Sequence, residues 1–103
     1  VRITITSPAA HLCPFKEELD LGHIVIEYDL APDAEPVELH ELRAAIDAFA
    51  SRAVTHEQMT YQLTESLPFG ATVVSRWHTA GMDVECRAFS GDDSVVSDRR
   101  DEQ

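Results

Sequence analysis

Among the groups in this chain that could do chemistry, Cys13 stands out. It lies in Ser7-Pro8-Ala9-Ala10-His11-Leu12-Cys13-Pro14-Phe15-Lys16-Glu17-Glu18-Leu19-Asp20, a stretch without hydrophobic period, and Pro14 restrains the backbone beside it. A thiol becomes a useful nucleophile when its thiolate is favoured or a base stands next to it. His11, Asp20 and His23 are the candidates nearby. Asp20 could give or take a proton if the stretch folds back on itself. His56-Glu57 could hold a planar heterocycle, since an ionised carboxylate accepts two parallel N–H bonds. Each residue also has a plainer use: Cys13 as a packed thiol, Asp20 as a turn former, Glu57 as a partner of a helix dipole.

Other chemistries lack their signatures. His11, His23, His40, His56 and His78 form no H-x-x-x-H pair, and Cys13 and Cys86 are too far apart for C-x-x-C. No paired metal-ligand spacing is therefore present and no metal is expected. Neither G-x-G-x-x-G nor a P-loop occurs.

The elements that must position these residues follow from periodicity. Arg2–Thr6 and Gly22–Asp29 alternate apolar and polar residues as strands do, with a long loop over Ser7–Asp20 between them. Over Val37–Ala50 the period changes: Leu39, Leu42, Ala45, Ile46 and Phe49 mark one helix face. Thr55 and Gln58 have capping-box spacing and open a second helix through Met59, Leu63 and Leu67, stopped by Pro68 and Gly70. Ala71–Trp77 and Met82–Phe89 are two more strands about a turn at Thr79-Ala80-Gly81. The order β-β-α-α-β-β predicts an α+β domain, an antiparallel four-stranded sheet with both helices on one face.

A single domain over residues 1–90 accounts for nearly all of the 103 residues, and an acidic tail over 91–103 reads as solvated and disordered. A domain this short buries only about 60–65% of its unfolded surface, so further burial through self-association is expected. Net charge is −11, from 19 acidic and 8 basic residues, which opposes binding to a phosphate backbone. No membrane-spanning run or secretory signal is visible, and two lone cysteines then suit a reduced, cytoplasmic setting with free thiols. Cys86 reads as a packed strand residue without a role.

Taken together, Cys13-Pro14-Phe15-Lys16-Glu17-Glu18-Leu19-Asp20 resembles the C-P-x-T-G-x-x-D signature of the queuosine-pathway nitrile reductases, which convert 7-cyano-7-deazaguanine to its aminomethyl form. The resemblance continues through Ile26-Glu27-Tyr28, Val37-Glu38-Leu39, a helix ending near Phe49, His56-Glu57 and the Trp77–Cys86 hairpin, covering roughly residues 3–89. It implies a tunnelling fold (T-fold) whose subunits close into rings with active sites between neighbours. It also implies that Cys13 adds to the nitrile to form a thioimide, that Asp20 supplies the proton, and that His56 and Glu57 bind the deazaguanine.

The departures concern the cofactor. The reductases bind NADPH phosphates with a signature resembling E-S/L-K-S-x-K, which here is Glu38-Leu39-His40-Glu41-Leu42-Arg43. His40 replaces the first lysine, Glu41 the serine, and only Arg43 keeps a cation. An Arg-Gly-Gly turn of the late hairpin is Ala80-Gly81-Met82 here, and the Thr-Gly of the cysteine loop is Lys16-Glu17. Loss of cations where phosphates should sit costs affinity. Short amidinotransferase-like relatives keep Cys, Asp and the acidic substrate ligand, lack the NADPH signature and resolve the thioimide with ammonia. Their substrate is a base within tRNA, which a −11 chain suits poorly. The expectation is a thioimide-forming enzyme on 7-cyano-7-deazaguanine or a close derivative, as free base or nucleoside, resolved by ammonia or water without a cofactor. The alternative is the NADPH-dependent reductase, and the third reading is a non-catalytic deazapurine- or pterin-binding T-fold protein.

Overall fold

A computed structural model describes residues 1–91; all but the first residue of the acidic tail expected over 91–103 lies outside the described residues. Four strands, β1 (Arg2–Leu12), β2 (Leu19–Asp29), β3 (Thr72–Thr79) and β4 (Met82–Phe89), form one antiparallel sheet in the order β1-β2-β3-β4. Helix α1 (Leu39–Asp47) runs into a 3₁₀ turn (Ala48–Ser51), and α2 (His56–Ser66) follows. Alternation assigns the faces. Ser7, Ala9 and His11 of β1, Ile24, Ile26 and Tyr28 of β2, and Val73, Ser75 and Trp77 of β3 are buried, each separated by two. Leu42, Ile46, Phe49, Met59 and Leu63 cover that face and complete the core. Each side chain so buried contributes about 1.5–3 kcal/mol. The β-β-α-α-β-β order and the one-sided helices agree with the sequence.

Both strands of the first hairpin are longer than expected. Ser7–Leu12 was expected in a loop, yet it pairs residue for residue with Leu19–Ile24. Pro8 does not end the strand because β1 is a sheet edge, where a missing N–H disrupts no ladder. Asp20 therefore sits inside β2, opposite His11, and the true loop is only Cys13–Glu18. The N-terminus of α2 is as expected: Thr55 Oγ1 accepts from Gln58 N–H, and Gln58 Oε1 accepts from Thr55 N–H. No helix among the described residues is long and apolar enough to cross a membrane.

Candidate active site

Backbone bonds hold the Cys13 loop. Cys13 N–H donates to the Glu18 carbonyl (2.7 Å) and Glu17 N–H to the Cys13 carbonyl (3.1 Å). The first bond carries the β1–β2 ladder one step past Leu12 and Leu19. With His11 opposite Asp20, this makes Cys13 and Asp20 diagonal neighbours across the hairpin, a relation that spans about 7–8 Å in a regular sheet. Glu17 has φ 58°, the left-handed region that favours glycine. That is the position where the resembling signature carries its glycine.

A second set of bonds brings α2 to the same place. Leu12 N–H donates to the Arg52 carbonyl (2.9 Å) and Val54 N–H to the Leu12 carbonyl (3.2 Å), an isolated parallel bridge between Leu12 and Ala53. The chain thus reaches α2 stitched to the end of β1, next to Cys13. His56, the first residue of α2, then meets His11 with Nδ1 2.8 Å from His11 Nε2. His11 is 1% exposed and its Nδ1 lies 3.1 Å from the Leu12 carbonyl. A carbonyl only accepts, so His11 carries its proton on Nδ1 and offers the Nε2 lone pair to His56 Nδ1–H. Asp20 Oδ2 stands 3.9 Å from His11 Nε2, and the Asp20 side chain is 19% exposed.

Trp77 is the wall behind both imidazoles. Its indole stacks on His56 at 4.8 Å and 11° and meets the edge of His11 at 4.8 Å and 73°. A chain of buried hydroxyls fixes it. Trp77 Nε1–H donates to Ser75 Oγ (2.8 Å), Ser75 and Thr60 hydroxyls meet at 2.6 Å, and Thr60 Oγ1 donates to the His56 carbonyl (2.7 Å). Each hydroxyl has one proton, and Thr60 gives its own to His56, so Ser75 donates to Thr60. Every link is satisfied, as a buried polar chain requires.

No protein-family model matches the chain, and no curated protein matches it. Among solved structures, the crystal structure of the archaeosine synthase QueF-like in the apo form is similar to it. The TM-score is 0.75 over 87% of this chain and 93% of that one, at 21% sequence identity. This chain has the tunnelling fold.

Within that fold, the structure brings Asp20 and His56 together, places Cys13 diagonally from Asp20 on the same hairpin, and leaves Glu57 beside His56, exposed in the first turn of α2. His11, one of three bases considered for Cys13, joins them; His23 is exposed, one residue out of phase with Asp20 on β2. Two histidines 45 residues apart in sequence show no pair spacing, which is why His11 and His56 did not read as partners. Trp77 was legible only as a strand residue.

Glu38, His40 and Arg43 lie apart from this group. Glu38 caps α1, accepting from His40 N–H (3.1 Å) and lying 3.3 Å from His40 Nδ1. Arg43 donates to Ser7 Oγ and stands 3.6 Å from Asp47. Ser7 is four residues from His11 along β1, or about 13 Å. The groove of about 700 Å³ beside α1 carries Glu35, Glu38 and Glu41. A second concavity of about 480 Å³ is lined by Leu21, His23, Arg76, His78 and Asp83 among others. Cys13, Asp20, His56 and Glu57 line neither.

Both cysteines are free. Cys86 sits on β4 opposite Ser75, and burial, with the Glu57 carboxylate adding to it, pushes its thiol pKa up. Alkylation with iodoacetamide at neutral pH should therefore modify Cys86 slowly, as peptide mass mapping would read.

Burial, then the neighbouring His11, holds the His56 imidazolium below the ordinary value of 6.5, and Asp20 and Glu57 offset this only partly. The unfolded chain accepts this proton near 6.5 and the folded chain only at lower pH, so the unfolded state binds more protons in between. Stability should fall as pH drops below 6.5, until the folded pKa is passed. Urea midpoints measured across that window should show the loss, and His56→Gln should flatten it.

Proposed function

We propose that this T-fold chain processes the nitrile of 7-cyano-7-deazaguanine or a close derivative through a covalent thioimide. The observation that carries this reading is the diagonal placement of Cys13 and Asp20 across one hairpin, with His56-Glu57 stitched to the same end. A nitrile is a weak electrophile until its nitrogen gains a proton. The Cys13 sulfur, as thiolate, forms a bond to the nitrile carbon while one C–N π bond opens and Asp20 delivers a proton to the nitrogen, giving the thioimide. His56 and the exposed Glu57 carboxylate bind the N–H edge of the heterocycle. Ammonia then attacks the thioimide carbon and expels the Cys13 thiolate to leave an amidine; water in its place leaves an amide.

Resolution without hydride is supported by the surroundings of α1. Arg43 is occupied by Ser7 and Asp47, and Glu38 and Glu41 put carboxylates on the segment that the resemblance assigns to cofactor phosphates. A free base or nucleoside suits a chain of net charge −11 better than tRNA does. Among the described residues, β4 and all of β1 before the bridge of Leu12 to Ala53 are open sheet edges, which favours a ring in which a neighbouring subunit finishes an open site.

Mixing the protein with 7-cyano-7-deazaguanine should raise its intact mass by one substrate and increase near-ultraviolet absorbance. No adduct would leave a binding protein. Consumption of NADPH with substrate would replace the non-reductive fate by nitrile reduction.

A further inference from the structure

We propose that His11, Asp20 and His56 form a binding site for a divalent transition ion of the zinc class. The proposal does not rest on the nitrile reading and competes with it, because an Asp20 carboxylate that holds a metal has no proton to deliver, so the metal-loaded chain should not form the thioimide.

Three separate elements supply one ligand atom each: β1 gives His11 Nε2, β2 gives an Asp20 carboxylate oxygen and α2 gives a His56 ring nitrogen. All three atoms lie within 4.8 Å of one another. Zinc holds imidazole nitrogen and carboxylate oxygen at about 2.0–2.2 Å, so ligand atoms around a tetrahedral ion stand about 3.4 Å apart. The measured separations from His11 Nε2, 2.8 Å to His56 and 3.9 Å to Asp20, straddle that value. Shifts of about half an ångström, within reach of small side-chain rotations, would convert one into the other.

The surroundings already orient His11 as an ion would need it, and His56 has only to move its proton from Nδ1 to Nε2 to free a lone pair for the same ion. The Leu12 carbonyl accepts from His11 Nδ1–H, which turns the Nε2 lone pair toward the cluster, the outer-shell arrangement that metal-ligating histidines use. Trp77 braces both rings and is itself tied through Ser75 and Thr60 to α2. His11 is almost completely buried, while Asp20 reaches solvent on one side. Asp20 therefore leaves the cluster a route to solvent by which an ion could enter. Two imidazoles and one carboxylate suit zinc, or cobalt in its place, rather than magnesium or calcium, which take oxygen ligands.

The full chain, stripped with a chelator, should be titrated with zinc by calorimetry and with cobalt by visible absorption. The expected result is one equivalent of metal per chain and the intense d–d bands of four-coordinate cobalt. His11→Asn and Asp20→Asn should each weaken zinc binding by more than about tenfold, the scale on which even outer-shell changes act. Circular dichroism of both variants checks folding, and Asp20→Asn keeps the test sound if His11→Asn fails to fold. No stoichiometric binding, or binding equally tight in the folded Asp20 variant, overturns the proposal. The two readings fail separately. An adduct formed with chelator present but no metal binding sinks this site alone, and a chain that binds one metal yet forms no adduct after the chelator has removed it sinks the nitrile reading alone.

Discussion

Cys13→Ala should abolish the covalent adduct with 7-cyano-7-deazaguanine, and Asp20→Asn should slow its formation by about 10²–10⁴-fold, the usual worth of a positioned acid. The two effects differ in kind because the two groups do. The sulfur makes the new bond, and no neighbouring atom can replace it. The carboxyl only lowers the barrier, so its loss leaves a slow reaction. Both variants should fold. The Cys13 loop is closed by the backbone N–H and carbonyl of residue 13, not by its side chain. Asn at position 20 keeps the shape of Asp and the backbone pairing with His11. Intact mass spectrometry over time reads both outcomes. Cys86→Ala provides the control and should form the adduct at the unaltered rate, because burial keeps that thiol protonated. A Cys13→Ala protein that still gains the mass would end the thioimide reading.

The sequence carried the framework of this site and lost its interior. Strand β2 alternates clearly because Ile24, Ile26 and Tyr28 face the helices between exposed or half-buried neighbours. The second half of β1 does not, because its buried face near the site is Ser7, Ala9 and His11, small or polar residues that make no hydrophobic stripe. Pro8 then reads as a strand terminator unless the strand is known to be an edge. Period-two spacing of those three residues was the available signal. Cys13, Asp20 and His56-Glu57 were legible through the resemblance, since their order survives in sequence. The contact of His11 with His56 was not: it depends on the bridge between Leu12 and Ala53, a pairing across 41 residues that no local pattern records.

The same dependence on packing makes Gly22→Ala the most damaging single-methyl change near the site. Gly22 lies opposite Trp77 in the β2–β3 ladder. A Cβ there would overlap the Arg76 carbonyl oxygen and stand 2.6 Å from a ring carbon of Trp77. The first obstacle is backbone in mid-sheet. The second is an indole pinned by Ser75 and pressed against two imidazoles. Neither can swing aside as the end of a flexible chain would, so overpacking should cost about 2–3 kcal/mol. For a domain of this size that lowers Tm by about 10–20 °C, at about 4–8 °C per kcal/mol. Gly81 gives the contrast. It also resists a side chain, with φ 77°, but an added Cβ meets no atom within 4 Å. Gly81→Ala should cost only about 1 kcal/mol of backbone strain and leave the adduct rate intact. Gly22→Ala should lower both stability and that rate, because the wall that holds His11 beside His56 must move. Scanning calorimetry and the mass assay on the two variants, at a temperature where both remain folded, separate damage to the fold from damage to the site. A Gly22→Ala protein as stable and as fast as the parent would mean that Trp77 does not set the geometry of the histidine pair.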